Sequence, residues 1–205
     1  MPRVKISVAL AFLCLTLGGC GDEPLPDAES RTSSSASADP FAQLFRDDAT
    51  PLVRTDFSDD AAWERVVQAV TAPDDFGDVA DPEDGGSENR SYAPNVKAVD
   101  DPAFDGATVQ SLVDAGHGKP LGYLLVADDR SMREAVSGGE VTVVYVDLSV
   151  LPEDAEEFGF VYGRGFRCEV GQVASIEVNL SIANMDFDEF ADSIDTDGVF
   201  RGFPE

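Results

Sequence analysis

LGYLLVA at Leu121–Ala127 and VTVVYVDL at Val141–Leu148 decide the fold. Each is a short, nearly unbroken apolar run bounded by turn residues: Pro120 and Asp128 flank the first, and Gly138-Gly139 precedes the second. Both are too short for most helices. Neither shows the apolar/polar alternation of a strand with one wet face. They read as strands covered on both sides, in the middle of a sheet that carries helices above and below. The β-branched content of the second run favours the same reading.

Outward from these runs, strand and helix signals alternate. Leu52–Phe57 is a β-type run. Ser58 is the expected N-cap of a helix whose face is Trp63, Val66, Val67 and Val70, spaced i, i+3, i+4, i+7. Asp59 and Asp60 favour the positive end of its dipole, and Pro73 lies just past its end. Asn95–Val99 is a modest strand. Thr108 caps a short helix with Val109, Leu112 and Val113 on one face. Met132, Ala135 and Val136 mark another helix, ended by Gly138-Gly139. Three strand–helix alternations and a further strand predict an α/β fold, with a mostly parallel central sheet flanked by helices.

The remaining stretches extend this frame. Asp74 to Arg90 holds seven acids and a Gly-Gly pair, so residues 74–91 are expected as a flexible acidic loop. Pro152–Gly159 reads as a second acidic loop, and Gly165–Val170 as an edge strand. A C-terminal helical segment follows. Val173, Ile176 and Leu180 suit one helix. Asp186 with Glu189 forms a capping box for another, with Met185 able to staple onto Phe190. Phe187, Phe190, Ala191 and Ile194 are its expected buried side.

The N-terminus reads as an address. Arg3 and Lys5 precede a twelve-residue apolar run, Ile6–Leu17, which is followed by Leu17-Gly18-Gly19-Cys20. A bilayer span needs about 20 apolar residues; this run fits a secretory signal peptide over residues 1–19. The LGGC ending resembles a bacterial lipobox, in which Cys20 takes a diacylglyceryl group and becomes the first mature residue. Two acyl chains hold a protein stably to a membrane where one does not. Residues 20–50 then read as the lipidated cysteine and a disordered Ser/Ala/Pro/Asp tether, with an r.m.s. reach of roughly 30 Å over about 30 residues. Phe41, Leu44 and Phe45 are an apolar patch where folded structure can begin. A single domain over 51–205 is expected.

Composition narrows the partners. The 205 residues carry 40 acids against 14 basic residues, a net charge of −26. Loss of Arg3 and Lys5 with the signal takes this to 12 − 40 = −28. Such a chain is repelled by anionic lipid and lacks the clustered Lys and Arg that nucleic acid requires. Its field attracts positive charge instead.

Several segments are more specific than periodicity. PLVRTDFSDDAAW (Pro51–Trp63) and NLSIANMDFDEFADSIDTDGVFRGF (Asn179–Phe203) resemble the opening and closing segments of an uncharacterised bacterial domain-of-unknown-function family. VDDPAFDG (Val99–Gly106), LLVAD (Leu124–Asp128) and VYVDL (Val144–Leu148) are similar to its middle, in the same order. The resemblance spans roughly Pro51 to Phe203. It implies a domain boundary and an α/β fold, and carries no activity.

Aspartate closely follows or ends each strand: Asp56, Asp100-Asp101, Asp128-Asp129 and Asp147. In a parallel sheet these ends share the edge where such folds bind ligands. Asp56, Asp101, Asp128 and Asp147 are thus a candidate ligand or metal cluster for Mg²⁺ or Ca²⁺, hard cations that take oxygen ligands. The competing and favoured reading is that they cap the following helices and turns. Asp195-Thr196-Asp197-Gly198 resembles part of a calcium loop, but an EF-hand needs an acid at Ser193 and a glutamate at Pro204; a tight turn fits better. His117 is the only histidine and sits in a glycine-flanked loop; a His-rich zinc site is excluded by count, a single catalytic histidine is not, and a surface-loop histidine is the favoured reading. Cys168, between Phe166 and Val170 in an alternating run, reads as a core thiol. Lys97 and Lys119 do not end strands.

The expected function is therefore binding rather than catalysis. The chain reads as a lipid-anchored, acidic α/β module on the extracytoplasmic face of a cell membrane. Its partner would be a basic protein or a cell-envelope ligand. The alternative is a divalent-metal-dependent hydrolase using the strand-end aspartates.

Overall fold

The computed structural model describes residues 39–80, 87–116 and 119–204. The segment expected to be a signal peptide, Cys20, most of the expected tether and His117 lie outside the described residues. The packed body begins at helix α1, Pro40–Leu44, capped by the Asp39 carboxylate and burying Phe41 and Leu44.

Strand β1 (Thr50–Arg54) leads into helix α2 (Asp60–Val70). The cap of α2 is Asp59 rather than Ser58: its carboxylate accepts from the Ala62 N–H, while the Ser58 N–H donates to Asp56 Oδ1. The predicted acidic loop contains two strands, β2 (Asp74–Ala80) and β3 (Ser87–Tyr92), paired antiparallel. Strand pairing is a main-chain matter, and a hairpin apart from the main sheet carries no obligatory apolar pattern to announce it. Strand β4 (Val96–Val99), helix α3 (Val109–Gly116), strand β5 (Gly122–Ala127), helix α4 (Asp129–Ser137) and strand β6 (Thr142–Leu148) fall where their patterns predict. Pro152–Gly159 is not a loop: Pro152–Phe158 forms helix α5. Its acids Glu153 and Asp154 occupy the first turn, Pro152 begins it, and Gly159 closes it in a left-handed conformation, the arrangement a short helix favours. Strand β7 (Gly165–Glu169), helix α6 (Val173–Ser181), helix α7 (Phe187–Asp192) and strand β8 (Val199–Phe200) complete the chain. Among the described residues no helix is long and apolar enough to cross a membrane.

The main sheet has the order β4-β1-β5-β6-β7-β8, with the separate β2-β3 hairpin beside it in the chain. The two apolar runs do occupy its middle. Strand β7 is one place in from the edge, because the two-residue β8 pairs alongside it. β1 is parallel to β4 and β5, and β7 to β8, but β6 is antiparallel to both neighbours. One local contact accompanies the reversal. Thr142, the first residue of β6, is buried, and its N–H and hydroxyl donate to Glu134 of α4 at 2.8 and 2.6 Å. A helix that grips the first residue of the next strand starts that strand at the edge where β5 ended. Five of the six strands still share a direction, and the fold is α/β.

Alternate side chains of the central strands feed two cores. On one face Leu52, Leu125, Tyr145 and Phe166 pack under α2, α4, α6 and α7 with Trp63, Met132, Ile176 and Phe190. On the other, Val53, Leu124, Val126 and Leu148 meet α1 and α3 through Phe41, Leu44, Leu112 and Val113. Two expected core positions are exposed, Val136 at 58% and Ile194 at 40%. Each sits in the last turn of its helix or just past it, beyond the sheet it was expected to cover.

Gly163 joins these layers. Its N–H donates to the Asp147 carbonyl, its φ is +72°, and a Cβ there would lie 2.3 Å from Val113 Cγ1. Gly159 has φ +80° with open space around it. Gly163→Ala is expected to cost about 2 kcal/mol or more, through strain and overpacking together. Gly159→Ala carries the backbone strain alone, about 1 kcal/mol. Urea unfolding of the two variants checks this; equal losses would mean that the α3 contact does not constrain Gly163.

Candidate functional site

The C-terminal ends of β4, β1, β5, β7 and β8 define one edge of the sheet. Asp56, Asp101 and Asp128 lie there. Asp147 does not: because β6 is reversed, it sits at the opposite edge, paired in register with Tyr123 at the start of β5. The proposed four-carboxylate cluster is thus divided between the two edges.

At the shared edge the carboxylates hold their own backbone. Asp56 Oδ1 accepts from Ser58 N–H at 2.8 Å, and Asp101 Oδ1 from Ala103 N–H at 2.9 Å. Asp128 caps α4 through Ser131, whose N–H and hydroxyl donate to Oδ1 at 3.1 Å, while Oδ2 takes the Arg167 guanidinium. Among the described residues no three His, Cys, Asp or Glu side chains come together to hold a metal ion.

The organising residue of this edge is one the aspartate pattern does not name. Arg54, the last residue of β1, is 1% exposed. Its Nε donates to the Asp56 carbonyl at 2.9 Å, and its terminal nitrogens to Asp60 and Asp100 at 2.8 and 3.1 Å. The guanidinium lies 4.4 Å from the Phe57 ring centre and 5.8 Å from that of Trp63, within cation–π range. The signal was in the sequence: an arginine ending an apolar strand, followed by two aromatics and several acids, is placed to be buried and neutralised.

The C-terminal strand edge is the usual place for a ligand crevice in α/β sheets. A crevice of about 350 Å³ does lie there, lined by Thr55, Gly106, Thr108, Val126, Asp128 and Asp129. A neighbouring hollow of about 530 Å³ is bounded by Asp56, Asp59, Met132, Arg133 and Val136. Helix N-termini often bind phosphate at this edge. Here those of α2 and α4 are already capped by Asp59 and Asp128, so an added anion would meet carboxylates. The edge suits a cation or a neutral polar group.

The other sequence candidates resolve simply. Cys168 is fully buried, and burial pushes its thiol up to about 12, far from the range of a nucleophile. The Asp195–Gly198 segment is a tight turn with Gly198 at φ +80°. Its two carboxylates grip Arg201 at 2.8 Å, which also binds Glu140, so a guanidinium stands where a calcium loop would place its ion. Lys97 pairs with Asp47. Asp147 accepts from the Ser149 N–H at 2.7 Å, and burial raises its pKa.

A family model described as a domain of unknown function (DUF6924) matches residues 49–203. No curated protein and no solved structure matches the chain.

Asp128 supplies a pH test of the capping role. Burial opposes its ionisation, but Arg167 and the Ser131 N–H outweigh burial and hold its pKa below the ordinary carboxylate value. A depressed native pKa contributes stability above the unfolded value, about 3.9, and loses it as pH falls through the native one. Asp128→Asn is expected to lower stability by about 1–2 kcal/mol at neutral pH, with the deficit shrinking below about pH 4. Thermal midpoints across pH measure it; a deficit that does not change with pH contradicts an ionised cap.

Proposed function

The chain belongs to the DUF6924 family of unknown function, and from its fold and charge we propose that it is a binding module, lipid-anchored at Cys20 on the extracytoplasmic face of a membrane, whose partner is basic. The observation that carries the reading is where the positive charges go. Arg54, Arg130, Arg133, Arg164, Arg167 and Arg201 each form an ion pair within the body. The basic minority is largely consumed in holding the fold, and the excess acids face outward. The net charge of 12 − 40 = −28 left once Arg3 and Lys5 are removed then attracts positive partners and is repelled by anionic lipid.

The LGGC segment and the Ser/Pro-rich stretch after it support the anchor. Capped helix N-termini at the strand edge disfavour nucleotide phosphate. The inert Cys168 and the divided aspartates support binding over covalent or metal chemistry.

Two outcomes are expected. Cys20→Ser abolishes labelling by radioactive palmitate and moves the protein out of the membrane fraction; retention of label would refute the anchor. Affinity for a basic envelope protein falls at least tenfold between about 50 and about 300 mM salt, as the screening length shortens. A partner held equally at both salts argues against electrostatic recognition.

A further inference from the structure

The edge opposite the strand-end crevice carries an apolar groove with an acidic rim. Its volume is about 230 Å³, and Tyr123, Phe160, Leu180, Met185 and Phe187 form its walls. Of the wall residues Phe160 is 44% exposed, and beside lining residues Phe160 and Ala183 the chain exposes Val161 (61%) and Ile182 (68%). Ile182 is displayed by the turn between α6 and α7, where Ala183 adopts a left-handed φ of +50°. Large apolar side chains gathered around a hollow are uncommon on a soluble surface without a partner.

The rim supplies the charge. Asp147, Asp186 and Asp188 line the same groove. Asp188 is neutralised by Arg164. Asp147 is met by Ser149, and the Asp186 main-chain N–H is taken by Glu189. No guanidinium or ammonium among the described residues forms an ion pair with Asp147 or Asp186. Tyr123 lines the groove with both, and burial and then Asp147 raise the pKa of its hydroxyl.

We infer that this groove binds a segment of a partner protein in which a lysine or arginine adjoins a large apolar side chain. The apolar residue fills the hollow against Phe160 and Phe187, and the cation reaches Asp147 and Asp186 along the rim. Burial of one anchor side chain beside a charge is how small grooves recognise peptides. The volume suits one such anchor; sites for drug-sized ligands span about 300–1,000 Å³. Charge decides between occupants. A second copy of the chain brings −26 to an acidic rim. Residues 21–38 hold four acids, one arginine and few large apolar side chains, so the chain's own tether does not complement the groove either. The inference rests on the basic-partner reading and gives it a place and a chemistry.

A random heptapeptide phage library selected on the purified full chain tests it. Phe160→Ser with Ile182→Ser removes exposed side chains and should leave the thermal midpoint unchanged; Asp186→Asn removes one rim charge. The expected result is enrichment of peptides with Lys or Arg next to Phe, Leu, Ile or Trp. The enriched peptide should bind the double variant at least tenfold, and Asp186→Asn about threefold, more weakly. Basic peptides without apolar neighbours, bound equally by all variants, would overturn the groove and leave the basic-partner reading standing. Enriched peptides lacking basic residues would overturn both. Failure to enrich any peptide would overturn the groove.

Discussion

A guanidinium almost out of reach of water must be hydrogen-bonded and neutralised, because a buried unpaired charge costs several kcal/mol. Arg54 imposes that constraint at the end of β1. Asp60, Asp100 and the Asp56 carbonyl answer it, with Phe57 and Trp63 over the guanidinium plane. Asp56, Phe57, Asp60 and Trp63 come from the segment that follows β1, and Asp100 from the end of β4. Asp100 fixes where β4 ends, and Asp60 fixes the first turn of α2. Trp63 ties that helix to the strand, so Val66 and Val70 fall onto Leu52 and Leu125. The aspartates that crowd the strand edge are therefore in large part counter-charges and caps for their own fold.

The same economy recurs elsewhere. Arg167 joins the end of β5 to the start of β6 through Asp128 and Thr142. Arg201 closes the turn before β8 onto Glu140. Arg164 fastens the β6–β7 side of the sheet to Asp188 and Asp192 of α7. Each arginine bridges elements distant in sequence, and each spends positive charge internally. A strongly acidic exterior follows from using the few cations as joints.

How much of this was legible in the sequence depends on the range of the cause. The central strands, the face of α2, the Asp186–Glu189 box and the burial of Cys168 are local patterns, and the structure has them. Apolar periodicity does not encode the direction of β6, which pairs antiparallel to both neighbours, and the placement of Asp147 follows from that direction. The β2-β3 hairpin and α5 were hidden under acids, because charge density reads as loop whether the backbone is paired or not. Val136 and Ile194 obey helical spacing but lie where their helices outrun the core. Of the candidate site, Asp56, Asp101 and Asp128 lie at one edge, while Arg54, which gives that edge its organisation, reads from the sequence only as part of a β-type run.

The most direct measurement is a double-mutant cycle on urea unfolding between Arg54→Met and Asp100→Asn. If the strand-edge acids exist to satisfy Arg54, the two substitutions are coupled by about 1 kcal/mol, and Asp100→Asn costs little once Arg54 is gone. Additive losses would contradict the account and free Asp100 and its neighbours for another role.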